Sequence, residues 1–273
     1  MELQNREYDR MKIALVGYGK MGHMIEQSAK SFGHEVVATV DSFSPDASVK
    51  VSAGDGDALA RAVSESGAEG VIEFTSPASV IGNIKALLPL KLPLVVGSTG
   101  WNDRMDEVRD LASSCGGTVM HSANFSIGVN MFYRMVEEAA RLVNSFEEYD
   151  VAVWEMHHNQ KADSPSGTAI DVAKRVMSGF KRKTEMVTDA FHGRPEKNQL
   201  HVSSTRCGTV PGTHTVYFDS TADTIELTHT ARSRLGFANG AVHALENLKS
   251  MLDSGKLEPG KLYGMGDVFP GMF

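Results

Sequence analysis

Two imidazoles and an ammonium lie within five residues in His157-His158-Asn159-Gln160-Lys161. Ala162-Asp163-Ser164-Pro165-Ser166-Gly167-Thr168 follows, a turn leading into a predicted helix over about 165–177. The first turn of a helix leaves backbone N–H groups without intrahelical partners, and such groups bind anions. One stretch therefore combines proton donors, positive charge and an anion cradle. That set suits a small carboxylate substrate whose reaction consumes a proton. Ser164 can cap the helix, and Pro165 suits its first position because proline has no N–H to leave unpaired. The N–H groups of Gly167 and Thr168, with the Thr168 hydroxyl, can then bind one carboxylate. Lys161 can neutralise the same carboxylate or a second one. The cation and the helix start are expected to depress the pKa of the imidazoles and keep one usable as an acid or base near neutral pH. Adjacent histidines at a strand end point in opposite directions, and no third ligand stands at a useful spacing, so no metal is expected. Arg206 is a second candidate carboxylate partner, with an ordinary surface salt bridge as the alternative.

A second group of residues is suited to a dinucleotide. Gly17-Tyr18-Gly19-Lys20-Met21-Gly22 fits G-x-G-x-x-G, between an apolar strand-like run and a helix-like one. In that context the first glycine permits the tight turn, the second lets the backbone approach a pyrophosphate, and the third lets helix and strand pack closely. Asp41 stands 19 residues after Gly22, near the ~20 expected of an acid that bonds a ribose 2′-hydroxyl. It would repel a 2′-phosphate, which predicts a preference for NADH over NADPH. Lys20 and Ser42 could partly offset that repulsion, so the preference is not exclusive. Gly97-Ser98-Thr99-Gly100 and Ser122-Ala123-Asn124-Phe125 each follow an apolar run. Ligands of open α/β sheets bind beyond the carboxyl ends of the strands, so both loops are candidates for nicotinamide contacts.

The elements that must hold these residues fall into two patterns. Up to about Phe125, short continuous apolar runs (12–16, 35–40, 70–75, 92–96, 118–121) alternate with helix-like segments (21–32, 57–66, 77–88, 102–115). That grammar predicts a doubly wound, Rossmann-like parallel sheet covered on both faces. An amphipathic helix follows over about 128–143, with Val129, Phe132, Met135, Val136, Ala139 and Leu142 as its apolar positions. After a strand at 149–156 and the helix at 165–177, three strand-like runs come in succession at 200–207, 213–220 and 224–230. They predict a second, α+β domain on a mixed or antiparallel sheet. The polar, partly basic stretch 178–198 is expected as an exposed loop. A last helix over 238–251 is expected to return to the first domain. The predicted domains are therefore 1–125, completed by 236–273, for the dinucleotide, and 126–235 for the substrate.

Composition narrows the function classes. The chain has 273 residues, 41% hydrophobic and 22% charged, which is ordinary for a globular protein of two domains. A formal net charge of −7 gives no basic footprint for nucleic acid or an anionic membrane. Residues 1–10 are a polar tail without the apolar core of a signal peptide, and no run approaches the ~18 apolar residues of a membrane span. Cys115 and Cys207 are expected as free thiols in a reducing compartment, hence a cytoplasmic setting.

These residues together resemble one family. Glu155-Met156-His157-His158-Asn159-Gln160-Lys161-Ala162-Asp163-Ser164-Pro165-Ser166-Gly167-Thr168-Ala169, the Gly97–Gly100 loop, Ala123-Asn124-Phe125-Ser126-Ile127-Gly128-Val129-Asn130 and Phe237-Ala238-Asn239-Gly240-Ala241-Val242 are similar to the 4-hydroxy-tetrahydrodipicolinate (dihydrodipicolinate) reductases of lysine and diaminopimelate biosynthesis. The resemblance implies an NAD(P)H-dependent reductase acting on a cyclic dicarboxylate. It implies His157 as proton donor and Lys161 as the second catalytic residue, with His158, Gly167 and Thr168 binding substrate. It implies Gly17 to Gly22, Asp41, Gly97 to Thr99 and Ser122 to Phe125 as cofactor contacts, and a homotetramer assembled through sheets of the second domain. Two departures bear on cofactor preference: the first loop is one residue shorter than in many members, and the acidic tract after Asp41 is reduced. Two other readings stay open on the residues alone. Another two-domain dehydrogenase, of aspartate or homoserine type, would share the glycine turn but does not need the His-His-x-x-Lys segment. A nucleotide sensor without turnover would need a recognition element, and no basic helix suggests one.

Overall fold

The computed structural model describes residues 10–272. All of the polar N-terminal stretch before Arg10 lies outside the described residues. The described residues divide into two compact units, Leu235–Gly271 joining residues 10–126 and Ile127–Arg234 forming the second.

In the first unit, β1 (Lys12–Val16), α1 (Lys20–Ser31), β2 (Glu35–Asp41), β3 (Val49–Lys50), α2 (Gly56–Glu65), β4 (Gly70–Glu73), α3 (Val80–Leu87), β5 (Leu94–Val96), α4 (Met105–Cys115) and β6 (Val119–His121) alternate along the chain. Continuous apolar runs bury a strand on both faces, and all four residues of β4 are buried. Ala14, Val16, Val71, Leu94 and Val96 join the core formed with α2, α3 and α4. In the second unit, α5 (Ile127–Val143), β7 (Asp150–His157), α6 (Gly167–Gly179), β8 (Glu185–Val187), β9 (Gln199–Arg206), β10 (Thr213–Asp219) and β11 (Thr224–Thr230) follow. The chain then returns to the first unit as α7 (Leu235–Asp253), β12 (Leu262–Tyr263) and α8 (Met265–Val268).

The first sheet has the order β12-β6-β5-β4-β1-β2-β3 with every pairing parallel. The reversal of strand order beside β1 is where such sheets open a crevice for ligands. Helix α7 packs on α1, β4 and β5. Its Leu245 lies so close to Gly70 that a Cβ there would be 2.9 Å from the leucine Cδ1. Leucine Leu262 in β12 pairs with Val119 and adds an edge strand that no periodicity announced, because two residues carry no period.

The second sheet is mixed, β11-β10-β7-β9-β8, with antiparallel pairings around β10 and parallel ones to β9. Alternate residues of β7, among them Val151 and Val153, meet α5 and α6 in one core. The opposite face carries half-buried Trp154, Met156, Ser203, Thr205 and Tyr217.

Two local expectations are corrected. On α5, Met135 is 51% and Leu142 64% exposed, whereas Tyr133, Ala140 and Val143 are buried. The buried stripe runs Val129, Phe132, Tyr133, Val136, Ala140, Val143, and at 100° per residue Met135 and Leu142 fall on the far side. The 178–198 stretch is not simply a solvated loop. Lys183 is buried, 2.6 Å from Asp150. Arg182 donates to the carbonyls of Asn144, Phe146 and Tyr149, satisfying acceptors left over where α5 ends. Cys115 and Cys207 are free thiols. Among the described residues no helix is long and apolar enough to cross a membrane.

Candidate active site

The glycine turn is shaped by contact. Gly17 has φ +93°, and a Cβ on it would meet the Phe74 carbonyl oxygen at 2.1 Å. A Cβ on Gly22 would meet the Gly17 oxygen at 2.4 Å. A Cβ on Gly19 would meet nothing within 4 Å, so the backbone there can be approached by a ligand. Gly19 is also the N-cap of α1, whose first turn has no side-chain cap and no acid. Free N–H groups and a positive dipole end thus face an uncrowded position, which fits a diphosphate. Lys20 is exposed and Met21 half-buried at the start of the helix. The Tyr18 ring turns inward, stacks on His23 and bonds Glu26. Burial, then the Glu26 contact, push its pKa up to about 12. The Tyr18 hydroxyl is therefore turned to Glu26 and away from a ligand.

Asp41 ends β2 beside this turn and accepts three backbone N–H groups: Tyr18 at 2.7 Å, Phe43 at 2.7 Å and Ser44 at 2.8 Å. Partial burial opposes its ionisation, but the N–H donors outweigh burial and lower its pKa. It is a fixed negative charge on the rim of a cavity of about 580 Å³ lined by Gly17, Gly19, Asp41, Phe43, Thr75 and Asn83, among others. Its size and lining suit the adenosine half of a dinucleotide.

The two nicotinamide loops differ from their expected role in detail. Gly97 lies under the Phe74 ring, where a Cβ would be 1.9 Å from Cζ. The Ser98 hydroxyl accepts the Thr75 N–H at 2.7 Å and is buried, whereas Thr99 is exposed. Phe125 is 2% exposed, and its ring lies 6.0 Å from that of Phe74, so its side chain is core. Ser122 and Asn124 close a small turn, Ser122 Oγ donating to the Asn124 carbonyl at 2.8 Å. Sequence reading missed Glu73, the last residue of β4. It is fully buried, bonded by Thr75 Oγ1 and by Asn83 Nδ2, and burial raises its pKa. An acid inside an apolar strand run was the signal available for it.

In the second unit, strand register assembles a separate cluster. Glu155 and His157 share the helix-covered face of β7, two residues apart. Register sets His214 of β10 opposite Glu155 and Arg206 of β9 opposite His157. His157 Nδ1 and Glu155 Oε2 form a short hydrogen bond. Arg206 Nη1 reaches Glu155 Oε1 at 2.9 Å and the Thr205 carbonyl at 2.9 Å, while its Nη2 donates to the Asp163 carbonyl at 2.6 Å. Arg206 is therefore neither a surface ion pair nor directed at an outside carboxylate. The His157 and His214 rings meet edge to face at 5.1 Å. Burial lowers the His157 pKa, Glu155 raises it, and Lys161 and Arg206 lower it further. The expected depression is present, but burial is its largest cause.

Helix α6 begins one turn element later than expected. Ser166, not Ser164, is the N-cap, its Oγ accepting the Ala169 N–H at 3.1 Å. Pro165 precedes the cap and is not the first helical residue. The first-turn donors are still Gly167 and Thr168. Lys161 Nζ lies 2.7 Å from Asp163 Oδ1. Lys161 is the main cause of the lowered Asp163 pKa, and the Gly167 N–H is a minor one. The ammonium and the helix start thus converge on one carboxylate supplied by the chain itself. His158 takes no part in these contacts. It follows the last residue of β7, and its Nδ1 is buried with no hydrogen-bond partner among the described residues.

Sequence spacing offered no third metal ligand, but the fold does bring one. Glu155, His157 and His214 present ligand atoms within 4.8 Å of one another. The Arg206 guanidinium on Glu155 and the Lys161 charge near His157 oppose a divalent cation there.

Residues 11–125 match the model of the dihydrodipicolinate reductase N-terminal domain, and residues 128–269 match that of its C-terminal domain. The chain belongs to the dihydrodipicolinate reductase family. A 4-hydroxy-tetrahydrodipicolinate reductase of Christiangramia forsetii is 35% identical over 88% of this chain and 92% of its own. Another, of Clostridium novyi, is 34% identical over 94% of this chain and 97% of its own. A solved dipicolinate-bound dihydrodipicolinate reductase of Paenisporosarcina sp. TG-14 shares the fold, with a TM-score of 0.71 at 20% identity over 95% of this chain and 99% of that one. An amine dehydrogenase of Mycobacterium smegmatis has the same architecture at a TM-score of 0.60 and 11% identity, covering 98% of each chain. The architecture is thus broader than the reductase family, and membership rests on the sequence matches.

Proposed function

We propose that this chain reduces 4-hydroxy-tetrahydrodipicolinate to tetrahydrodipicolinate with NAD(P)H, in lysine and diaminopimelate biosynthesis. The observation that carries the reading at the residue level is the Lys161 ion pair with Asp163, beside the α6 start, in the loop that follows the Glu155-bonded His157 at the end of β7. The substrate is a cyclic dicarboxylate that loses its hydroxyl to give a conjugated imine. A nicotinamide held there would supply the hydride that adds to that ring. The enamine that results needs a proton at carbon, and His157 holds one on an imidazole fixed by Glu155. Lys161, with the Gly167 and Thr168 N–H groups and the Thr168 hydroxyl, binds one carboxylate, displacing Asp163. His158 is assigned to the second. Gly17 to Gly22, with the helix start after Gly19, holds the diphosphate. Asp41 receives the ribose hydroxyl, and the Gly97–Thr99 and Ser122–Phe125 loops flank the nicotinamide, the buried Phe125 through its backbone.

NADH is the preferred cofactor in this reading, because Asp41 is a fixed anion on the cavity rim. The first unit is the cofactor domain and the second the substrate domain. The half-buried outer face around Trp154 and Tyr217 joins copies into a homotetramer, and the setting is cytoplasmic. The deciding experiment follows NADH oxidation with substrate made in place by the preceding synthase. Rapid loss of 340 nm absorbance is expected. Intact NADH binding without that loss would overturn the reductase reading and favour a sensor.

A further inference from the structure

The Glu155 side chain has no exposed surface. A carboxylate buried to that degree is costly unless it is paired and hydrogen-bonded. One of its oxygens meets His157 Nδ1, and the other takes Arg206 Nη1 at 2.9 Å and the Ser166 N–H at 3.3 Å. Burial opposes ionisation of Glu155, but the Ser204 hydroxyl first, then Arg206 and His157, outweigh it and lower its pKa. An ionised carboxylate only accepts hydrogen bonds, so the shared hydrogen belongs to His157 Nδ1. The other ring nitrogen, Nε2, lies against Gly212, where a Cβ would stand 2.8 Å away. Glycine at that position keeps Nε2 uncrowded.

We propose that Glu155 is the positioning residue for proton transfer, holding His157 by Nδ1 so that Nε2 is the donating atom, and that Arg206 tempers it through the shared carboxylate. This rests on His157 being the proton donor. In the step, the Nε2–H bond breaks and a C–H bond forms on the reduced substrate. The electron pair stays on Nε2. The neutral Nδ1–H tautomer remains, still donating to Glu155, and solvent restores the proton. The charges facing the ring have opposite signs. Glu155 on β7 favours the imidazolium, whereas Arg206 on β9 and Lys161 in the following loop oppose it. His214 on β10 stays neutral, because burial first and then the charge of His157 bring its pKa to about 4. From α6 the contribution is Ser166, whose hydroxyl lies 3.2 Å from His214 Nε2 and carries no charge.

Opposite signs give a test that a purely structural role fails. Imidazole ¹⁵N spectra of the full chain read the tautomer and pKa of His157 directly, in wild type, Glu155→Gln and Arg206→Gln. Wild type should show the Nδ1–H tautomer when neutral. Glu155→Gln should move the His157 pKa down by about one unit or more, and Arg206→Gln should move it up. The descending limb of kcat against pH should move with each, leaving the substrate KM within about twofold, since neither side chain is assigned a contact with substrate. Shifts of the same sign, no shifts, or an Nε2–H tautomer in wild type would overturn the proposal. If Glu155→Gln does not fold, the wild-type tautomer and the Arg206→Gln shift still decide it. If wild type binds NADH but turns over no substrate, the reductase reading fails, while the titrations still report on Glu155.

Discussion

The turn at Gly17–Gly22 and the cluster around His157 both handle charge, one through backbone and the other through side chains. The turn depends on absent Cβ atoms: Gly17 and Gly22 are forced by carbonyl oxygens at 2.1 and 2.4 Å, and Gly19 leaves open space. Its donors are N–H groups, and these do not titrate. The cluster depends on Glu155, His157, Arg206 and His214 meeting from three strands, with a titrating ring at its centre. The first is suited to holding a cofactor with constant charge, the second to moving a proton. Substitutions at the cluster should therefore change rate and pH dependence, and those at the turn should change cofactor affinity.

The largest effect is expected for His157→Gln. Loss of a positioned acid should lower kcat by about 10²–10⁴-fold and leave the NADH dissociation constant unchanged by fluorescence titration. Unaltered turnover would remove His157 from the mechanism. Next is Lys161→Ala, which deletes a charged hydrogen bond of about 1.5–3 kcal/mol and should cut kcat/KM by roughly 10–100-fold, with the substrate KM raised. An unchanged KM would sink its role on the carboxylate. Asp41→Asn removes the fixed anion from the cofactor rim, and should shift the ratio of kcat/KM for NADPH over NADH upward by about tenfold, ~1.4 kcal/mol. A wild-type enzyme already tenfold better with NADPH would contradict the preference itself. Ser166→Ala deletes the N-cap of α6. It should cost about 1 kcal/mol, read as a lower denaturant midpoint with NADH affinity intact. The smallest effect belongs to Lys20→Ala. Lys20 is exposed, so if the turn binds through backbone, NADH affinity should fall by no more than about fivefold. A much larger loss would mean that a side chain, not the backbone, carries the diphosphate.

The same contrast explains what could be read from the sequence. The glycine turn is a local object, and spacing over six residues with an acid downstream was sufficient to place it. The alternation of apolar runs and helices likewise exposed the first sheet, and strand-like runs in succession exposed the second. The cluster was half legible. His157, Lys161, Gly167 and Thr168 are contiguous, but Arg206 and His214 reach Glu155 through pairings of β9 and β10 with β7 that no local pattern encodes. Ser164 and Ser166 are both good cap residues, and sequence alone favoured the wrong one. On α5 the spacing of apolar residues gave the helix, but a stripe drawn through Met135 and Leu142 followed hydrophobicity where the 3.6-residue period required Tyr133 and Ala140.

The division of the chain has a temporal side. The second unit is one continuous stretch, 127–234, whereas the first is closed by residues 235–271, including edge strand β12 and helix α7 with its buried Glu246–His34 pair. On the ribosome residues 235–271, which finish the first sheet, emerge after the whole of 127–234. A nascent chain that has emerged only as far as Arg234 would thus carry the second unit whole and the first unit with one sheet edge and one face uncovered.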